Sequence, residues 1–234
     1  MPATTSNSRF RAGMAAALPF LLVVFPFGVL FGVVATEAGL DLVQTMGMTF
    51  VVIAGASQFT AVQLMSENAP VWTVLAASLA VNLRMAMYSA SLQPHVGAAP
   101  FWARALVGYT NFDQTYAMSM LEYERAPDMT PMQKVAYFLG AATTIIPGWC
   151  AATYAGAVGG ALIPDSVGLE FAMPIMFLAM VAPMVRSLAH LAAAATSVIV
   201  ALLAAGLPSG VGLLVAAFAA MLVGAEVERR RGGA

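Results

Sequence analysis

The sequence predicts an all-α polytopic membrane protein with about eight transmembrane helices, on three observations. First, 61% of the 234 residues are hydrophobic and 9% are charged, whereas a soluble domain usually has about 25% charged residues. Second, the mean hydropathy is +0.85. Third, apolar stretches of about 20 residues, the length that crosses a bilayer, recur along the chain. A nucleic-acid-binding role is excluded because the net charge is −1 and no basic stripe is present.

Eight stretches are long and apolar enough to cross a hydrocarbon core about 30 Å thick. Polar residues interrupt the fourth stretch, and a turn containing glycine and proline at residues 206–210 separates the last two. The stretches are 14–36, 43–65, 71–92, 101–121, 134–162, 170–188, 191–205 and 211–225. We therefore predict a cytoplasmic N-terminal segment over 1–13, a single transmembrane domain over 14–225 and a basic cytoplasmic tail over 226–234.

The basic residues predict which side of the membrane each loop faces. With the N-terminus inside, eight of the ten Lys and Arg residues fall in cytoplasmic segments, as the positive-inside rule expects. Arg104 falls near an outer loop, and Arg84 falls inside the third span. The eight are Arg9, Arg11, Arg125, Lys134, Arg186, Arg229, Arg230 and Arg231. We predict cytoplasmic termini in a multi-pass membrane protein.

A weak internal repeat relates the first and fifth predicted helices. Pro-Phe-Gly at residues 26–28 lies near the middle of the first helix, and Pro-Gly-Trp at 147–149 lies near the middle of the fifth. Matching helix breaks in two halves of a chain point to a transporter's site at the membrane midplane. The alternative is that both are ordinary proline kinks. On the eight-helix count the two copies have the same orientation. The predicted break residues are Pro26, Gly28, Pro147 and Gly148.

Two charged residues fall inside predicted spans. A charge at the bilayer centre costs about 2.5–3.5 kcal/mol on insertion scales, so it needs a partner, a cavity or a function. Arg84 lies about 14 residues into the third span and Asp113 about 12 residues into the fourth. At a rise of about 1.5 Å per residue, both reach a similar depth from opposite faces. We predict that the two side chains pair across adjacent antiparallel helices.

Uncharged polar residues are predicted near the same depth as this pair. The second span contributes some of them, and the third and fourth spans contribute the others. We interpret the whole cluster as a substrate or ion path. The alternative is a buried ion pair and hydrogen-bond network that fixes helix packing. The further members of the cluster are Ser57, Gln58, Asn82, Asn111 and Gln114.

An enzymatic role is not expected. The chain contains no Gly-x-Ser-x-Gly, no His-Glu-x-x-His and no phosphate-binding loop. Cys150 is the single cysteine, and neither His95, placed in an outer loop, nor His190 has a second candidate ligand nearby in the sequence. We therefore expect neither a metal site nor a cofactor.

The stretch Ala-Gly-Ala-Ser-Gln-Phe at residues 54–59 resembles the signature of the AzlC-like large subunits of branched-chain amino acid exporters, the LIV-E family. Further matching segments follow in the same order and extend the resemblance over roughly residues 14–225. They are Asn82-Leu83-Arg84 with Tyr88-Ser89 and Ser91-Leu92, Asp113-Gln114-Thr115-Tyr116-Ala117, and the stretch at 168–177.

This resemblance implies export of leucine, isoleucine and valine across the cell inner membrane, with methionine as a further candidate. It also implies a small hydrophobic AzlD-like partner subunit and coupling to protons. Gln114 stands where the family usually has glutamate, which leaves Asp113 as the obvious proton carrier. Two alternatives stay open, a membrane scaffold subunit that does not transport and an exporter of another small organic solute.

Overall fold

The computed structural model describes residues 5–160, 185, 187–207 and 211–232. Within these residues every regular element is helical, which confirms the predicted all-α class. The segment 168–177 and nearly all of the predicted sixth span lie outside the described residues. A short 3₁₀ turn, Leu18–Phe20, joins the first two helices. The helices are α1 Ser6–Ala17, α2 Leu21–Glu37, α3 Leu42–Val52, α4 Gly55–Ser66, α5 Val71–Val96, α6 Phe101–Tyr109, α7 Asp113–Arg125, α8 Pro131–Gly159, α9 Leu188–Leu203 and α10 Val211–Gly232.

The chain forms two compact units, which we describe one at a time. The first contains residues 1–55 and 82–163, and the second contains residues 56–81 and 164–234. Among the described residues, four helices are long and apolar enough to cross a membrane. The cytoplasmic placement of the termini stays a prediction, and so do the predicted crossings other than the fourth, which is corrected below. The four helices are Ser6–Glu37, Val71–Val96, Pro131–Gly159 and Val211–Arg231.

In the first unit, α1 and α2 pack along α8 through glycines. A Cβ added at Gly13 would collide with the carbonyl oxygen of Tyr137, and one added at Gly32 would collide with that of Thr153. The missing side chains therefore let the helix backbones approach closely. Residue numbers rise together along both helices, so they run parallel. This direction agrees with the expectation that the two repeat segments have the same orientation.

The prediction that the first and fifth helices are broken at the repeat was wrong. Pro26 and Gly28 lie inside α2, and Pro147 and Gly148 lie inside α8, with helical backbone on both sides. A proline within a helix removes one backbone hydrogen bond, and neighbouring helices can hold the remaining turns in place. The first helix instead changes to 3₁₀ geometry around Pro19.

The structure places a helix break in the second predicted span. The span consists of α3, with 11 residues, and α4, with 12 residues. Ile53 between them adopts the left-handed conformation, with φ of 40°. Helix α3 starts after the end of α2. It runs back along α2, since Gly55, just after α3, lies against the ring of Phe27 in the middle of α2. At about 1.5 Å per residue, α3 extends over only half of the hydrocarbon thickness.

The fourth predicted span is also two short helices, and they form a re-entrant pair. His95 at the end of α5 lies 3.2 Å from Lys134 at the start of α8, measured from Nδ1 to Nζ. Tyr123 near the end of α7 packs against His95, with ring centroids 5.2 Å apart and the ring planes tilted by 40°. Asp113 at the start of α7 instead contacts Arg84, about three turns back along α5. Helix α7 therefore runs parallel to this part of α5, and α6 runs in the opposite direction.

This arrangement corrects the prediction of a crossing over 101–121, and it places His95 at the end of the unit where α1 begins and not, as predicted, at the opposite end. Helix α6 has nine residues and α7 has 13, so neither alone reaches across a bilayer. Hydropathy cannot distinguish one crossing from two half-crossings when the polar tip residues fall in the middle of the stretch. The ends of α5 and α7 and the starts of α1 and α8 therefore meet at one end of this unit, where Arg9 pairs with Glu122 at 2.9 Å.

A hydrophobic cluster anchors the base of the re-entrant pair at that same end. It joins the end of α5, α6, the end of α7 and the start of α8, all through buried side chains. The hydroxyl of Tyr123 also donates a hydrogen bond to the carbonyl of Lys134, at 2.8 Å. The buried members include Leu92, Val96, Ala103, Val107, Tyr123, Met129, Val135 and Phe138.

In the second unit, α9 packs against α10, with Gly224 opposite Ala193. Glu226 pairs with Arg229 at 2.8 Å and with Arg230 at 2.6 Å near the end of α10. Helix α4 is joined to the first part of α5, where Ser57 Oγ donates to the carbonyl of Ser78 at 3.2 Å.

We expect Gly156→Ala to lower the free energy of unfolding by about 1–3 kcal/mol, the usual cost of overpacking. A Cβ at this position would collide with the carbonyl oxygen of Val29. Gly159→Ala on the same helix is the matched control, because a Cβ there would meet nothing within 4 Å. Unfolding of the purified protein in detergent, followed by circular dichroism during denaturant titration, gives both values. Equal stability of the two variants would contradict close packing at Gly156.

The re-entrant pair predicts that Ala98→Cys and Asp128→Cys face the same side of the membrane, with Glu37→Cys on the other side. All three positions are exposed, and each variant is built in a Cys150→Ala background. Labelling by a membrane-impermeant maleimide, before and after permeabilisation, assigns each side. If α6 and α7 were one crossing helix, Ala98→Cys would instead label together with Glu37→Cys.

Candidate functional site

An ion pair between Arg84 and Asp113 lies at the tip of the re-entrant pair. The Arg84 Nη2 and Asp113 Oδ2 atoms are 3.1 Å apart, and the two side chains are 23% and 40% exposed. Asp113 is in the first turn of α7, where the helix dipole stabilises a negative charge. The predicted pairing is therefore present, although the two helical segments run parallel and not antiparallel. Both charges are accessible enough to exchange partners with a ligand.

Tyr88 is a second partner of Asp113, and it was not among the site residues predicted from the sequence. Its hydroxyl donates to Asp113 Oδ1 at 2.9 Å. The Tyr88 ring stacks on that of Tyr116, with centroids 4.1 Å and planes 8° apart, and Tyr116 in turn donates to Ser91 Oγ at 3.0 Å. The sequence signal that could have identified Tyr88 is its spacing, because residues 84, 88 and 91 recur on one face of α5.

Asn111 ties the tip of the pair to α5. Its Nδ2 group donates to the carbonyl oxygen of Met85 at 3.3 Å and to Ser89 Oγ at 3.2 Å. The turn itself is closed by Thr115, which is fully buried. Thr115 Oγ1 accepts from the backbone N–H of Phe112 at 3.0 Å. These bonds pair several of the polar groups of an irregular turn, where lipid would offer no partners.

Three buried polar atoms around the tip have no hydrogen-bond partner among the described residues. They are Asn82 Oδ1, Arg84 Nε and Asn111 Oδ1. A buried donor or acceptor that lacks a partner costs about 1–3 kcal/mol. Such atoms are therefore candidates for contact with a ligand. The set includes two acceptors and one donor, so it can bind a molecule that has both kinds of group.

The other predicted site residues fall in two places. Gln114 follows Asp113 in the first turn of α7 and is half-buried. Ser57 and Gln58 are buried residues of α4 and belong to the second unit. The structure thus brings together Arg84, Asp113, Asn111 and the segment containing Asn82, while a shared site with Ser57 and Gln58 stays a prediction.

The two repeat segments have a role that differs from the predicted one. Phe27 and Phe31 of α2 contact the ring of Trp149 of α8, with centroids 5.5 Å and 5.9 Å apart. A Cβ on Gly55 would lie 2.6 Å from Phe27 Cε1 and 3.2 Å from Trp149 Cη2. The repeat therefore supplies aromatic rings that pack where the chain breaks between α3 and α4, and only glycine fits against them.

Comparison with known proteins identifies relatives along most of the chain. Residues 19–163 match the family model described as AzlC protein. An uncharacterized membrane protein of Archaeoglobus fulgidus is 26% identical over 235 residues, covering 95% of this chain and 97% of the relative. The inner membrane protein YgaZ of Escherichia coli is 22% identical over 183 residues, covering 74% of this chain and 71% of its own. No solved structure matches this chain. The ion pair and its hydrogen-bond partners all lie within the matched range.

A double-mutant cycle measures the hydrogen bond between Tyr88 and Asp113. We expect Tyr88→Phe and Asp113→Ala to show a coupling energy of about 1 kcal/mol in unfolding experiments, since phenylalanine loses the donor and alanine loses the acceptor. Tyr116→Phe is the control, because the Tyr116 hydroxyl donates to Ser91 instead. We expect it to be additive with Asp113→Ala within about 0.5 kcal/mol. Additivity of the Tyr88 cycle would mean that this bond does not contribute to stability.

Proposed function

The chain belongs to the AzlC family of membrane proteins, and we propose that it is a secondary transporter subunit that exports branched-chain amino acids. Leucine, isoleucine and valine are the proposed substrates, with methionine as a further one, and the proposed membrane is the inner membrane. The Arg84–Asp113 ion pair is the observation that carries this proposal. It is partly exposed and lies where a discontinuous helix begins. Transporters commonly bind substrates at such helix ends within the membrane.

The ion pair supports recognition of the substrate carboxylate by Arg84. A guanidinium group binds a carboxylate with paired, charge-assisted hydrogen bonds, and Arg84 Nε is a buried donor that lacks a partner among the described residues. Asp113 pairs with the Nη2 group in the structure. An incoming carboxylate would therefore replace Asp113 without leaving Arg84 uncompensated, which avoids the cost of an unpaired charge in the membrane.

Proton coupling follows from the same exchange. Once the substrate occupies Arg84, Asp113 loses the cation that stabilises its negative charge and becomes a proton acceptor. Release of the substrate restores the ion pair and returns the proton. Substrate and proton therefore cross in the same direction, and the outward gradient of the amino acid drives export. Because Gln114 cannot titrate, Asp113 carries this step alone in our proposal. The stacked rings of Tyr88 and Tyr116 supply an apolar surface beside the charges for a branched side chain.

We propose in addition that a small hydrophobic AzlD-like subunit works with this chain. The family resemblance supports such a partner.

The test is efflux from cells that lack their own exporters and are fed dipeptides of leucine or valine. We expect expression of this chain with its small partner to speed clearance of the free amino acid, and Arg84→Ala to abolish it. Asp113→Asn should lose pH-driven transport and keep substrate exchange, because the amide cannot carry a proton. Arg104→Ala, a cation on α6 outside the ion pair, is the control.

The outcomes separate this proposal from its alternatives. Unchanged clearance, with both subunits folded in the membrane, would contradict amino acid export and favour either a scaffold subunit or another small organic solute. Loss of folded protein in both Arg84→Ala and Asp113→Asn would show that the ion pair acts in packing. Retained pH-driven transport in Asp113→Asn would remove Asp113 as the proton carrier.

A further inference from the structure

We propose that the side-chain oxygen of Asn111 binds the α-ammonium group of the substrate, with Asn82 Oδ1 as a second acceptor. This inference rests on the proposed function and gives the site its specificity for amino acids over simple carboxylic acids. The observation behind it is that these two amide oxygens are buried and lack hydrogen-bond partners within the described part of the chain.

The orientation of the Asn111 amide follows from its neighbours. One of the two groups that Asn111 contacts on α5 is the carbonyl oxygen of Met85, which can only accept a hydrogen bond. The amide nitrogen must therefore face α5, and the oxygen must face away from the Met85 carbonyl. A flipped amide would place two acceptors against each other, so the hydrogen-bond network excludes it.

The side-chain oxygen of Asn111 is unusual because most buried polar atoms in proteins have a hydrogen-bond partner. Asn111 is only 6% exposed, and its Oδ1 atom has no partner among the described residues. Burying this acceptor without a partner has a free-energy cost, which the two bonds of the amide nitrogen do not remove. A ligand that brings an N–H donor removes the penalty, and an ammonium group brings three donors with a positive charge.

Asn82 extends the acceptor site along α5. Residues 82, 85 and 89 recur at i, i+3 and i+7 and therefore share one face of this helix. Asn111 contacts this face through Met85 and Ser89. Asn82 lies one turn before Met85 and also has a buried, unpartnered oxygen. The two unpartnered oxygens, Asn82 Oδ1 and Asn111 Oδ1, thus border one side of the tip.

Arg84 and Asn111 together match the two charges of an amino acid. Arg84 contacts Asp113, and Asn111 is two residues before Asp113 in the same turn, so the donor and the acceptor lie at one tip. An amide oxygen stays neutral at every pH. It can therefore hold the ammonium group both before and after Asp113 takes up a proton, which a carboxylate acceptor could not do without a change of charge.

The experiment measures binding of radiolabelled leucine to the purified full chain, with two competitors. One is 4-methylpentanoate, which is leucine without the amino group, and the other is 3-methylbutylamine, which is leucine without the carboxylate. We expect Asn111→Ala to weaken leucine by about tenfold or more, the loss of one hydrogen bond to a charged group, and to leave 4-methylpentanoate unchanged. Arg84→Ala should weaken 4-methylpentanoate and spare 3-methylbutylamine.

Two further variants control for structural damage. Gln93→Ala removes an exposed amide near the end of α5, away from the tip, so we expect the ratio of leucine to 4-methylpentanoate affinity to stay as in the original chain. Asn82→Ala should shift this ratio in the same direction as Asn111→Ala, and it tests the proposal even where Asn111→Ala does not fold.

The possible failures differ between the two proposals. If the original chain binds no leucine, the proposed function is overturned and this inference with it. If it binds leucine and both asparagine variants weaken leucine and 4-methylpentanoate by the same factor, the amide oxygens do not bind the ammonium group. In that case the proposed function stands and this inference is overturned.

Discussion

Backbone that leaves the helical conformation inside a bilayer must be enclosed by protein, because lipid offers no hydrogen bonds to the exposed N–H and C=O groups. In the first unit, this constraint acts at the break after α3 and at the tip between α6 and α7. At the first of these, the rings of Phe27 and Trp149 pack against Gly55. At the second, Thr115 and Asn111 hydrogen-bond the turn and α5. The glycine-mediated packing of α2 against α8 makes the first enclosure possible, because it brings both rings to one depth.

The re-entrant pair is held differently at its two ends. Its base is fixed by buried apolar side chains and by the ion pair of Arg9 with Glu122. Its tip is held by polar contacts, among them the ion pair of Arg84 with Asp113 and the bonds of Asn111. A polar ligand can replace a hydrogen bond or an ion pair, but it cannot replace buried apolar contacts. The tip can therefore exchange its contacts for those of a substrate while the base keeps its position.

Sequence patterns predicted the composition of this site better than its topology. The pairing of Arg84 with Asp113 was predictable because pairing lowers the free-energy cost of placing two opposite charges at similar depth in a membrane. Their relative direction was not, since counting apolar residues gives the same length for one crossing and for a returning pair. The prolines at 26 and 147 were misleading for a related reason. A proline weakens a helix locally, and whether the helix breaks depends on packing that the sequence of one helix does not contain.

The corrected topology also changes the charge pattern on which the predicted orientation rests. A fourth crossing placed Arg104 near an outer loop, as an exception to the positive-inside rule. With α6 starting at the same end where α5 finishes, Arg104 lies one turn into α6, at the end of the unit where α7 finishes with Arg125 and α8 begins near Lys134. Arg9 lies at that end as well. The basic residues of these helix ends, other than Arg84 at the tip, thus collect at one end of the first unit. The positive-inside rule therefore supports a cytoplasmic placement of that end more strongly for a re-entrant pair than for a crossing helix.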